Sequence, residues 1–182
     1  CLGASKILMS GTSELGPIDP QITIPESSIL RFSVYNIIKS YENLFRRAVN
    51  TKGNLQPYLQ QLQNYDEREI EEFRSALSLS EDIAIKALAS GMMKGVGKQA
   101  IKKKIKVFLT PEKTKTHGRP IYRDEARKCN LQVGDIDSDP ELWELVYQLY
   151  IRTNNFVSRK VSKCVESSRH SFVVPAPKGG AK

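Results

Sequence analysis

Two side chains have the types and settings for proton chemistry. Asp19 lies in Gly16-Pro17-Ile18-Asp19-Pro20, shortly after the apolar run Ile7-Leu8-Met9. Each proline fixes its own φ and pushes the preceding residue out of the helical region. Asp19 is therefore expected in a rigid, extended setting near the end of a strand. α/β folds keep their chemistry on such loops. A surface turn closed by an Asx-type bond is the competing reading of the same residues. His117 is one of two histidines and stands in a polar loop between Thr116 and Gly118. With glycine beside it, its imidazole has room to meet a partner and act as a general base. Taken alone, His117 reads as an ordinary surface histidine. His170, among Ser167, Ser168, Arg169 and Ser171, reads as solvent-exposed.

The elements that must position these residues follow from periodicity and caps. Residues 1–5 read as a helix end and 6–10 as a buried strand, because Ile7, Leu8 and Met9 are continuous and apolar. Residues 11–25 read as an ordered loop. Pro25-Glu26 is a helix opening, and that helix is expected to run to about Val49, stopped by Asn50-Thr-Lys-Gly53. A short helix is expected from Leu55, and another after Asn64 with an acidic first turn. Ser80-Glu-Asp has the form of an N-cap, so a further helix is expected there. A break is expected among Gly91, Gly95 and Gly97, followed by a lysine-rich helix to about Leu109. Tyr122 to Cys129 reads as a short helix ending at Asn130 in the left-handed region. Leu131 to Val133 reads as a strand. Ser138 or Asp139 caps a helix begun by Pro140, with Leu142, Trp143, Val146, Leu149 and Tyr150 on its inner face. One or two strands follow within 161–174.

Composition bounds the answer. The 182 residues, 40% hydrophobic and 26% charged, suit one domain with a real core or part of a larger one. No apolar run is long enough to span a bilayer. Cys1, Cys129 and Cys164 are too widely spaced for a metal site or redox pair, which points to free thiols in a reducing cytoplasm. Net charge is +8, concentrated at Lys94, Lys98, Lys102, Lys103, Lys104 and Lys106. No aromatic residue interleaves that cluster, so base stacking finds little support and a solvated helix face is favoured.

A resemblance adds roles to these residues. Ser10-Gly-Thr-Ser-Glu-Leu-Gly-Pro-Ile-Asp-Pro-Gln21 resembles the segment after the nucleophile helix in the serine dehydrogenase proteinase family, SppA-like serine peptidases of the ClpP/crotonase superfamily. Thr116-His-Gly-Arg-Pro-Ile-Tyr-Arg-Asp-Glu-Ala-Arg-Lys-Cys-Asn-Leu-Gln-Val133 is similar to that family's Thr-His-Asp-Tyr-Pro-Ile-Thr, then Glu-Ala, then Gly-Leu-x-Val. The blocks stand in the family's order. Gly118-Arg119 departs from Asp-Tyr, and Cys129-Asn130 replaces a pair that usually includes glycine.

The resemblance implies an α/β, ClpP/crotonase-like spiral fold, present as its helix-rich C-terminal portion. Residues 1–174 would be part of a single peptidase domain, with a helical insert over about 25–109 and a disordered tail at 175–182. It implies peptide-bond hydrolysis through an acyl-enzyme, in the chain order Ser, Asp, His. Asp19 would be the orienting acid and His117 the base. The nucleophile and the oxyanion-hole N–H groups would lie upstream of Cys1. Ser5, Ser10 and Ser13 lie in no small-residue elbow, and Cys1 is a minor alternative. Implied partners are a peptide or protein substrate and further copies of the chain, with no cofactor and no metal. Nucleic acid is disfavoured, and membrane attachment would come through an upstream segment. Two other readings stand beside this one: a catalytically inactive assembly or binding module, and a basic nucleic-acid-binding protein.

Overall fold

Short strands and longer helices alternate in a mixed α/β arrangement. The computed structural model describes residues 1–23, 31–110, 120–159 and 161–175. They fall into two units, Cys1–Gly134 and Asp135–Lys182. In the first unit β1 (Ile7–Met9) pairs with β6 (Val133–Asp135), and Ile7 N–H donates to the Gln132 carbonyl at 2.8 Å. The apolar run does not make β1 buried throughout. Ile7 and Met9 point into the core, whereas Leu8 is 47% exposed. The sheet has two strands and one packed face, so alternate side chains turn outward.

The loop expected at 11–25 contains two strands. β2 (Glu14–Leu15) pairs antiparallel with β5 (Ile121–Tyr122), Leu15 opposite Ile121 and Glu14 opposite Tyr122. β3 (Gln21–Thr23) pairs antiparallel with β4 (Arg31–Ser33). The helix expected from Pro25 therefore begins later. Pro25 lies outside the described residues, Arg31–Ser33 is strand, and α1 spans Val34–Asn50. Ser33 sets that start: its extended backbone frees the Oγ to accept Asn36 N–H at 3.1 Å.

After α2 (Gln56–Leu62), α3 runs unbroken over Glu67–Ser90. Asp66 caps it by accepting Arg68 N–H at 2.8 Å. Ser80 starts no new helix. Its hydroxyl donates back to the Ala76 carbonyl at 2.9 Å, the usual bond of a serine inside a helix. Gly91 ends α3, and Gly95 takes φ +83°, which glycine adopts without steric cost. α4 (Lys98–Lys104) and α5 (Lys106–Leu109) follow. Ile101, Ile105 and Phe108 are fully buried on one side of this pair, which leaves most of its lysines to solvent. Lys102 forms an ion pair with Glu81 of α3.

The core gathers Met9 of β1, Leu88 of α3, Ile101, Ile105, Phe108, Ile121 of β5 and Ala126 of α6 (Arg123–Lys128). Each large apolar side chain of this set is at most 2% exposed, and burying one such chain contributes about 1.5–3 kcal/mol. Asn130 closes α6 with φ 61°, the left-handed conformation its short side chain tolerates.

The second unit holds a 3-10 turn at Ile136–Ser138, α7 (Pro140–Arg159) and the antiparallel hairpin β7 (Val161–Glu166) with β8 (Ser171–Pro175). Asp139 caps α7, its Oδ1 accepting Leu142 N–H at 3.0 Å. α7 continues through Asn154-Asn155 to Arg159. No helix among the described residues is long and apolar enough to cross a membrane.

Candidate active site

Asp19 sits between β2 and β3, on the rigid loop that its flanking prolines dictate. Two backbone bonds fix the loop at either side. Ile18 N–H donates to the Phe108 carbonyl at 2.8 Å, and Val34 N–H donates to the Pro20 carbonyl at 2.9 Å. Asp19 Oδ1 accepts Tyr35 N–H at 3.4 Å. The first three N–H groups of α1 thus find Pro20, Asp19 and Ser33. The carboxylate lies at the N-terminal, positive end of a 17-residue helix. Burial pushes the Tyr35 phenol above its ordinary range, with Glu42 adding to the shift.

His117 lies outside the described residues, so its position relative to Asp19 is not described. The chain just after it is described, and it returns to the Asp19 loop. Ile121 pairs with Leu15, four residues after His117 and four before Asp19 respectively. The two sequence blocks singled out above therefore meet at β2–β5. His170 is exposed in the β7–β8 turn, where its N–H donates to Ser167 Oγ at 3.0 Å.

The serines near Asp19 are engaged in local structure. Ser10 is 1% exposed, and its hydroxyl lies 3.0 Å from both Thr12 Oγ1 and Ser13 Oγ. Ser10 N–H donates to Ser13 Oγ at 2.9 Å. This hydroxyl cluster builds the turn between β1 and β2.

The three thiols are free. Cys1 is exposed. Burial, then the Glu125 charge, push the Cys129 thiol up. Partial burial, then Glu166, do the same for Cys164. Raised thiols are poor nucleophiles at neutral pH. Cys1 and Leu2 line a small cavity of about 160 Å³ with Leu15, Gly16, Ile18 and Phe108. The start of this sequence thus lies against the loop that carries Asp19.

A larger groove was missed by sequence reasoning. It measures about 820 Å³ and lies between the β3–β4 hairpin and helices α1 and α3. Phe32, Ile37, Leu44 and Phe73 supply apolar walls, and Arg47 and Asp66 stand at its polar margin. Its walls come from segments spread between Ile22 and Phe73 that only tertiary packing brings together, so no local pattern announces it. The Arg68 guanidinium beside Asp66 holds that carboxyl at about 2, well below the usual range. Among the described residues, no group of acidic, histidine or cysteine side chains could hold a metal ion.

No family model matches the chain, and neither does any curated protein or any solved structure.

Proposed function

We propose that these residues are the C-terminal part of a serine peptidase with a ClpP/crotonase-like spiral fold, hydrolysing peptide bonds through an acyl-enzyme. In this reading Asp19 orients His117, and His117 takes the proton of a serine upstream of Cys1. A serine hydroxyl is a poor nucleophile at neutral pH. It needs an imidazole to accept its proton and a carboxylate to fix the tautomer and stabilise the imidazolium.

The β2–β5 register carries the reading. The pair Leu15–Ile121 stands four residues from each proposed partner. A four-residue extended segment spans at most about 14 Å, a reach that permits the two side chains to approach one another. Two further features support it. Asp19 is held on a proline-flanked loop, its Oδ1 accepting Tyr35 N–H at the start of α1. Cys1 lies beside the Asp19 loop, where an upstream serine would have to enter. The substrate is a peptide or protein, and the compartment is cytoplasmic.

A second reading, an inactive binding module, rests on the bond from Tyr35 N–H to Asp19, because a carboxylate used as a helix cap needs no catalytic task. Fluorophosphonate labelling of the protein from its native source, read by peptide mass, separates the two. A labelled serine upstream of Cys1, lost on His117→Ala, supports the peptidase. A native chain that begins at Cys1 and takes no label overturns it.

A further inference from the structure

We propose that the groove between α3 and the α4–α5 pair binds a ligand carrying two or more phosphate groups. The groove measures about 370 Å³, within the ~300–1,000 Å³ of small-molecule sites. Lys102, Lys103, Lys106 and Gln99 line it with donors, and Leu109 gives it an apolar wall. The local sequence brings the lysines to one side. Ile101, Ile105 and Phe108 turn into the core and are at most 2% exposed. Lys98, Lys102, Lys103 and Lys106, at the positions between and around them, face solvent. Lys98, Lys102 and Lys106 succeed one another at four-residue steps, about one helical turn apiece, with Lys103 alongside.

Composition alone favours a solvated face for these lysines, but such a face interleaves charges of both signs. This one does not. Residues 83–111 hold seven lysines and neither an acidic residue nor an arginine. Like charges one turn apart destabilise a helix, and an anion seated among them removes that repulsion. Lys102 is paired with Glu81 of α3, which also lines the groove. Among the described residues Lys103 and Lys106 have no ionic partner. The donor set selects phosphate. Arginine, whose planar fork clamps a carboxylate, is absent from the groove. Lysine ammonium groups are compact point charges with three donors each, suited to the many oxygens of a phosphate. No aromatic ring lines the groove, which disfavours a stacked base. Lys103 and Lys106 would hold one phosphate, and Lys102, drawn away from Glu81, a second. This chemistry is shared by soluble organic polyphosphates and phosphorylated lipid headgroups. The inference stands independently of the peptidase reading.

Isothermal titration calorimetry of the 182-residue chain with inositol trisphosphate tests it. Saturable binding at one site per chain is expected, weakened several-fold as salt rises from about 50 to about 200 mM. Lys103→Ala and Lys106→Ala should each weaken it about tenfold, the scale of one hydrogen bond to a charged group. Both lysines are exposed, so circular dichroism should be unchanged. Glu81→Gln frees Lys102 and should tighten binding several-fold. Asp82→Asn removes the same charge from the adjacent exposed residue, which does not line the groove, and should change binding by no more than about twofold. No saturable binding overturns the proposal. Equal effects of Glu81→Gln and Asp82→Asn also overturn it, since they mark a diffuse charge rather than a site. Phosphatidylcholine vesicles containing phosphatidylinositol bisphosphate separate the two sources. Binding tighter than to inositol trisphosphate assigns a lipid headgroup and weaker binding a soluble ligand, and either supports the site. A mixed-sequence RNA oligomer that displaces inositol trisphosphate at an about hundredfold lower concentration would assign the face to nucleic acid and overturn the proposal.

Discussion

Asp19→Asn separates structure from chemistry at the proposed site. The substitution keeps an oxygen that can accept Tyr35 N–H and removes only the charge. The bond is long, 3.4 Å, and Asp19 is partly exposed. What is lost is the attraction between a carboxylate and a helix N-terminus, about 0.3–1 kcal/mol. Ser33→Ala provides the scale. Ser33 is 5% exposed and its Oγ accepts Asn36 N–H at 3.1 Å, so its loss strands a donor and costs about 1–2 kcal/mol. Urea denaturation followed by circular dichroism should therefore rank Asp19→Asn below Ser33→Ala. A loss of at most about 1 kcal/mol leaves a domain of ordinary stability almost wholly folded. In a longer chain that contains the serine, removing an orienting acid lowers the rate of acylation by about 10⁴-fold. Such a drop cannot come from unfolding. If Asp19→Asn instead costs more than about 2 kcal/mol, the carboxylate is a structural tie and the reasoning fails.

Three further outcomes follow from the geometry. Iodoacetamide at neutral pH should alkylate exposed Cys1 first, Cys164 more slowly, and buried Cys129 only on unfolding, as peptide mass will show. Asp66 is held down by Arg68, so its contribution is present above the ordinary carboxylate range and is lost as pH falls through about 2. An acid melt of Asp66→Asn should run parallel to wild type below that range and fall under it above pH 4 or so. Gly91→Ala would set a methyl 3.2–3.3 Å from the carbonyl oxygens of Ala87, Ala4 and Gly3. Thermal unfolding should show a loss of about 1 kcal/mol or more, and a neutral result would mean that the turn at Gly3-Ala4 yields.

Much of the local structure is legible in the sequence because its signals are local. Asp139 caps α7 directly before Pro140, the Gly91–Gly97 stretch breaks the helices, and Asn130 takes the left-handed conformation at the end of α6. The errors arise where distant contacts decide. Phe32 fits a helical stripe, yet residues 31–33 pair with 21–23 and become strand. Ser80-Glu-Asp has the composition of a cap, yet α3 already packs Ile70 on one side of it and Ala84, Ile85 and Leu88 on the other, so the helix continues through. The inner face expected for α7 is largely solvent-exposed, because periodicity marks an apolar stripe without saying which molecule covers it. The convergence of the two motif blocks at β2–β5 is likewise a tertiary fact, invisible in either block alone.

The most direct test of the triad is the titration of the His117 ring by NMR in wild type and in Asp19→Asn, with His170 as the second histidine signal for assignment. If Asp19 orients His117, its charge favours the imidazolium. The midpoint of the His117 titration should then fall on Asp19→Asn by about one pH unit or more. An unchanged midpoint would mean that the two side chains do not meet, and would contradict the proposed acid–base pair.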